Sequence, residues 1–226
     1  MKGINKSNWD ESYERAENHI FYPKEEVVKF LNRFVRKKKL KNNFKNILYN
    51  DERAIRGLDF GCGIGHTTKL MNDFNIQSYG VDISDVAIKT SKSLYPYLEE
   101  NFQVIDGISI PFKDFYFDIS ICESVIDSMH FELAVKMIKE LERVTKKLVF
   151  ISFISGDDHQ HYREFNGEKI IKELHEKNTI QSWYNWSKIK KLISRTSFNI
   201  IWAHLITDES MIDRYKYGRY YLVLSK

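Results

Sequence analysis

The sequence predicts an α/β fold: a mostly parallel sheet with helices on both faces and an antiparallel strand pairing at its end. Three observations predict it. Short apolar runs alternate with helical segments between residues 54 and 155. Glycines cluster where the first of those runs passes into a helix. The chain then finishes in two apolar runs separated only by a short charged stretch. Strands that alternate with helices need right-handed crossovers, which lay the strands parallel and cover both faces.

At 226 residues the chain is read as a single domain able to bury a large core without disulfides or structural metal. Its 42% hydrophobic residues and three prolines exclude a disordered or fibrous protein. The net charge of +4 permits nucleic-acid contact without indicating it. The amino terminus MKGINKSNWDESYERAEN has no apolar core, so a signal peptide is not expected, and no uncharged run is long enough to span a membrane. Two cysteines, Cys62 and Cys122, make neither a disulfide framework nor a zinc site, and are read as small packing residues. The expectation is a cytoplasmic protein, monomeric or homodimeric, with no metal and no membrane partner.

Taken in order, residues 1–53 are polar, spotted with aromatics and helical in rhythm. Val27, Val28, Phe30, Leu31, Phe34 and Val35 recur at three- and four-residue spacing behind Pro23, which suits a helix start. The basic run Arg36 to Lys41 reads as the solvated end of that helix, where cations are favoured. Strands are expected at GLDFG, SYGVD, FQVID, FDISICES and KLVFISFIS, with helices at HTTKLMNDF, SDVAIKTSKSLYPYLEE and FELAVKMIKELERVTKK. A polar insert fills 156–186. The tail gives a helix, SKIKKLISRTS, and two strands, NIIWAHLIT and RYYLVLS, expected to pair antiparallel.

The segment Gly57-Leu-Asp-Phe-Gly61-Cys-Gly63-Ile-Gly65-His runs from a strand through three glycines into a helix. Glycine allows the sharp turn and a close approach of backbone to ligand, and the helix start offers unpaired N–H groups. Seventeen residues past Gly65, the next strand ends in Asp82, placed to accept both hydroxyls of a ribose. Together these point to an adenosine-type cofactor. The spacing is G-x-G-x-G with His66 following, where a dinucleotide fingerprint has G-x-G-x-x-G. Asp59, at the strand end, would repel a pyrophosphate and suit a cationic amino group.

DFGCGIGHTT followed by VDIS resembles the cofactor motifs of class I S-adenosylmethionine-dependent methyltransferases, over roughly residues 54–155. The resemblance implies a Rossmann-like seven-stranded sheet with an antiparallel last strand, S-adenosylmethionine as cofactor and S-adenosylhomocysteine as product. It implies that Asp59 and the loop Gly61, Cys62, Gly63 and Gly65 hold the methionine end, that Asp82 holds the ribose, and that Ile83 packs on the adenine. FQVIDGISIPF resembles the stretch in which an acidic residue meets the adenine amino group, giving Asp106 that role with Gly107 or Ile108 offering an N–H. Glu123 and Ser124 would lie beneath the sulfonium-bearing chain. WDESY resembles an amino-terminal segment of small-molecule members, and Trp9 and Tyr13, with Phe21 and Tyr22, would close over the cofactor as a lid. A helix docked on the sheet by the same rings is the competing reading.

Ligands of such sheets bind beyond the carboxyl ends of the strands, so the amino-terminal segment, the loop after the fourth strand and the insert should converge there. Deprotonating an oxygen or nitrogen acceptor calls for a base. His130, just past the fourth strand, is the best-placed candidate; structural or exposed histidine is the alternative. His159, His161, Tyr162, Gln181 and Trp183 are candidate substrate contacts. Arg163, Arg214 and Arg219 could meet an anionic substrate, or be exposed solubilising arginines. The functional reading is methyl transfer to O or N of a small-molecule acceptor. An RNA or protein methyltransferase stays open, and a nicotinamide oxidoreductase or a non-catalytic binding module fits less well. The stretch Glu-Ser-Val-Ile at 123–126 disfavours a DNA amino-methyltransferase.

Overall fold

A computed structural model describes residues 6–40 and 43–226. The first five residues of the polar amino terminus and Lys41 of the basic run lie outside the described residues.

Seven strands form one sheet in the order β10–β11–β7–β6–β3–β4–β5. They are β3 (Arg56–Phe60), β4 (Gln77–Asp82), β5 (Phe102–Val104), β6 (Phe117–Cys122), β7 (Thr145–Ile154), β10 (Asn199–Glu209) and β11 (Lys216–Ser225). Neighbours from β5 to β7 pair parallel, whereas β11 is antiparallel to both β7 and β10. The expected antiparallel last strand is β11, which lies between β7 and β10, so the β10–β11 pair closes the end of the sheet. Strand order reverses at β3, which opens a crevice at the carboxyl ends of β3 and β6, the usual ligand position in such sheets.

Helices cover both faces because their apolar residues fall on one stripe. In α5 (Phe131–Val144), Ala134, Met137, Ile138, Leu141 and Val144 are all buried. They recur at three- and four-residue spacing and pack with Leu58, Phe60 and Val149 of the sheet. Each large side chain so buried contributes about 1.5–3 kcal/mol. α6 (Trp186–Ile193) joins that face through Ile189, Leu192 and Ile193, its start capped by Asn185 accepting from the Lys188 N–H. On the opposite face lie α2 (Glu25–Phe30), its five-residue π-helical continuation Leu31–Val35, and α3 (His66–Asp73). There Phe30 stacks against Phe150 at 5.1 Å. α4 (Asp85–Leu94) stops before Pro96, which cannot donate to the helical ladder, and the chain continues as a 3-10 turn.

The basic run is not a helix end. Arg36–Leu40 is β1, paired antiparallel with β2 (Asn43–Asn46) in a separate hairpin. Helical rhythm stops at Val35 because Arg36 turns inward: its guanidinium donates to Asn46 Oδ1 at 2.7 Å and to the carbonyls of Asn75 and Arg53. Two short strands, β8 (Glu168–Ile170) and β9 (Ile180–Ser182), form a further hairpin inside the 156–186 insert. Among the described residues no helix is long and apolar enough to cross a membrane. Cys62 and Cys122 are free and buried.

Candidate active site

β3 delivers the chain into a turn whose glycines all have positive φ: Gly61 at 73°, Gly63 at 53° and Gly65 at 88°. Left-handed backbone of this kind costs an L side chain energy, which is why the turn is built of glycine. Space demands it as well. A Cβ on Gly63 would lie 2.6 Å from the Tyr13 hydroxyl, and one on Gly65 would lie 2.7 Å from the Phe102 ring. Gly65 precedes the first residue of α3, so the loop ends on the positive pole of that helix.

Asp82 ends β4 beside this turn. Its carboxylate accepts from the Gly63 N–H at 2.8 Å and the Ser84 N–H at 2.9 Å, and burial pushes its pKa up. Asp59 is buried beneath the loop and accepts from Thr68 Oγ1 at 2.7 Å, which ties β3 to α3. Desolvation raises its pKa to about 7. Glu123, at the end of β6, is held down to about 2 by Lys24 at 2.7 Å, with Arg219 at 3.9 Å adding to the effect. Ser124, next along, adopts a left-handed φ of 59° and donates to Glu123 at 2.6 Å. Such strain in a non-glycine residue is characteristic of functional turns.

A cavity of about 400 Å³ opens at these strand ends. It brings together Trp9, Tyr13, Gly61, Asp82, Ile83, Gly107, Ile108, Ser124 and His130 of the residues expected from the sequence. α1 (Lys6–Glu14) supplies Trp9 and Tyr13 from above and is pinned by Asp10, which accepts from Ser84 Oγ at 2.6 Å. Asp59, Cys62, Gly63, Gly65, Asp106 and Glu123 stand outside its lining, supporting the turns that shape it. Asp106 does so by accepting from the N–H groups of Ile108 and Ser109 at 2.8 and 3.0 Å.

His130 lines the cavity mouth at the start of α5, its Nδ1 2.7 Å from Glu168 of β8. His159, His161, Tyr162, Gln181 and Trp183 are not in the lining, although their neighbour Ile180 is. His161 stacks on Phe165 at 3.9 Å and bonds Asp158, which also accepts from the buried Trp183 indole at 2.8 Å. His159 packs on Tyr215, and Tyr162 is exposed.

Arg219 is not the exposed solubilising residue the sequence suggested. It is buried, donating to Asp127 at 2.8 Å, Ser152 at 3.1 Å and, through Nε, the Tyr217 hydroxyl at 2.7 Å. Arg163 and Arg214 are exposed, with Arg214 near Glu209 at 3.9 Å. Sequence reasoning missed Lys24, Asp127 and His66. The His66 imidazole is held below its usual range by burial, and its Nδ1 has no hydrogen-bond partner among the described residues. Only its place directly after Gly65 could have drawn attention to it. Among the described residues no group of three or more His, Cys, Asp or Glu is placed to hold a metal ion.

Residues 58–153 match the family described as a methyltransferase domain. Over 108 residues the chain is 33% identical to norajmaline N-methyltransferase of Rauvolfia serpentina, covering 45% of this chain and 36% of that protein. The chain spans about a third to a half of the length of the curated relatives it matches. A methyltransferase from Methanosarcina mazei described as S-adenosylmethionine-dependent superposes with a TM-score of 0.64 at 18% identity, over 78% of this chain and 94% of that one. Magnesium protoporphyrin IX methyltransferase from Synechocystis PCC 6803, solved with bound S-adenosylhomocysteine, superposes at 0.58 and 16% identity, over 100% and 90%. Identities this low speak to the fold alone. Residues 58–153 are thus similar to a methyltransferase domain, and the fold around them is the one seen in solved S-adenosylmethionine-dependent methyltransferases.

Proposed function

We propose that this chain transfers a methyl group from S-adenosylmethionine to an oxygen or nitrogen of a small-molecule acceptor. The observation that carries the reading is the charge around the glycine turn. Asp82 and Glu123 lie close enough to Asp59 to raise its proton affinity, and the turn sequence from Gly57 to Gly65 contains no lysine or arginine. Among the described residues no lysine or arginine pairs with Asp59 or Asp82. Their carboxylates would repel a pyrophosphate and suit a ligand with a sulfonium and an ammonium. The turn also fits close approach, since a Cβ at Gly61, Gly63 or Gly65 would collide with its surroundings.

In this reading Asp82 takes the ribose hydroxyls, Ile83 and Ile108 flank the adenine, and Gly61, Gly63 and Gly65 let the backbone reach the amino-acid end. Trp9 and Tyr13 close over the cavity and exclude water. S-adenosylmethionine, when bound, supplies a methyl group on a good leaving group, so holding the acceptor in line is most of what the protein must do. His130 is the candidate base, with Glu168 fixing its ring; the bond also draws the Glu168 carboxyl below its usual value. Asp106, Cys62 and Ser124 act by shaping the turns. We place the candidate substrate contacts His159, His161, Tyr162, Gln181 and Trp183 in a supporting wall behind Ile180. The buried, unpaired cysteines accord with the cytoplasm.

Calorimetric titration with S-adenosylhomocysteine tests the reading. Asp82→Ala should weaken binding by about 2–4 kcal/mol, the loss of charge-assisted bonds at a buried site. Unchanged affinity would overturn the ribose assignment, and tighter binding of NAD than of S-adenosylhomocysteine would overturn the function. Acceptors would then be screened as small molecules with isotope-labelled cofactor.

A further inference from the structure

We propose that the amino-terminal end of the sheet, opposite the active site, is a docking surface for single-stranded RNA. The net charge of +4 conceals a segregation. Residues 33–56 hold nine lysines and arginines against two carboxylates, while the rest of the chain holds 26 against 29. The β1–β2 hairpin displays this surplus. Lys37, Lys38, Lys39 and Lys45 are exposed, and among the described residues none of them is in an ion pair. Lys37 and Lys45 are direct cross-strand partners. Like charges placed opposite one another destabilise a ladder, so the hairpin keeps a repulsion that an external polyanion would relieve.

The hairpin continues into a concave floor. Arg36 and Asn46, at its root, both donate to the carbonyl of Arg53. Arg53 in turn lines a cavity of about 500 Å³ with Tyr49, Arg56, Lys146 and Lys147, where Asp118 is the one carboxylate in the lining. Arg53 and Lys147 lie 4.7 and 6.0 Å from the Tyr49 ring centre, and Arg56 lies 4.9 Å from that of Tyr116. Cations interleaved with aromatic rings in a groove are the arrangement that tracks a phosphate chain and its bases. A bilayer is flat and would not reach the groove, and an acidic peptide has no use for the rings. On the cytoplasmic location proposed above, RNA is the single-stranded nucleic acid the chain meets. β3, five residues and so about 17 Å long, separates this floor from the glycine turn, which makes the RNA a partner rather than the methyl acceptor.

Fluorescence anisotropy with a labelled twelve-residue oligouridine, at 50 and 200 mM salt, tests this. The double variant Lys37→Glu, Lys45→Glu keeps the cross-strand repulsion while reversing its sign, so the hairpin should fold as before. It should bind at least 10-fold more weakly, with a salt slope shallower by about 1.4, for two phosphate contacts at ~0.7 each. Lys147→Glu, on the cavity floor, should lose affinity in the same direction, and Asp82→Ala should bind oligouridine like the unaltered chain. Absence of binding by the unaltered chain would overturn the proposal. So would affinity in both lysine variants equal to that of the unaltered chain, or preferential binding of polyglutamate, oligothymidine or phosphatidylserine vesicles.

Discussion

The two ends of this sheet handle charge in opposite ways. At the carboxyl end, Asp59, Asp82 and Asp127 are buried and Glu123 is half-buried; Glu123 and Asp127 are met by Lys24 and Arg219, which come from distant parts of the chain. At the amino end the lysines stand in solvent, and the one buried carboxylate, Asp118, is served by the Tyr49 hydroxyl, the Arg56 N–H and Lys146. Buried charge must be paired because desolvation is costly, whereas exposed charge is nearly free of consequence for folding. Electrostatics at the first end therefore sets stability and shape. At the second it is left available for a partner.

Breaking the carboxyl-end network should have the largest effect. Arg219→Met keeps the volume and removes the charge, leaving buried Asp127 and half-buried Glu123 with one cation fewer. The expected loss is about 3–5 kcal/mol, read as a fall of roughly 10 °C in Tm by calorimetry. Lys147→Met, at the other end, should move Tm by no more than a degree or two. Comparable shifts in the two variants would remove the contrast.

That contrast also marks where sequence reading succeeded. The glycine turn and Asp82 were legible because their constraints are local: positive φ at 61, 63 and 65, and an acid at a strand end. So was the alternation that builds the sheet. Arg219 was not legible, since what buries it is Asp127, ninety-two positions away and joined to it only by the insertion of β11 beside β7. The hairpin failed for a different reason. Lys and Leu carry good helical propensity, and nothing in RKKKL announces that Arg36 will be clasped by Asn46 and two carbonyls. Among the candidate substrate contacts, His161 and Trp183 share the Asp158 carboxylate, a clustering that no local sequence signal announces.

A pH titration sharpens the carboxyl-end picture. Asp59 has a folded pKa of about 7, against about 3.9 in an unfolded chain. The folded state holds that proton more tightly, so between pH 4 and 7 this group lowers stability as pH rises. Glu123 acts in reverse: at about 2 when folded, it adds stability above pH 4.5 that is lost as pH falls toward 2. In Asp59→Asn the decline between pH 4 and 7 should shrink to the part that Asp82, also raised by burial, contributes, while the acid limb remains. Thermal unfolding at half-unit steps reads both. An unchanged decline would place its source in another group.

The His130–Glu168 pair should matter little for folding, because the imidazole is 62% exposed. His130→Ala is expected to shift stability by less than about 1 kcal/mol, although Glu168 also accepts from the Phe131 N–H at the start of α5. Its effect belongs in turnover, with S-adenosylhomocysteine affinity unchanged. A loss of cofactor affinity as large as that of turnover would mean the ring shapes the cavity instead of serving the acceptor.

The smallest effect is the most direct probe of the amino end. Lys37 and Lys45 face each other across the hairpin ladder, at a Cβ separation of about 4.5–5.5 Å. Replacing both with glutamine should stabilise the chain by a few tenths of a kcal/mol at low salt, the sign opposite to Arg219→Met. At 1 M salt the screening length shrinks to about 3 Å, shorter than that separation, and the gain should vanish. A stabilisation that persists at 1 M salt would point to side-chain packing. A destabilisation would mean that the two ammonium groups already have an anion between them, and the charge surplus at this end would be smaller than the sequence count implies.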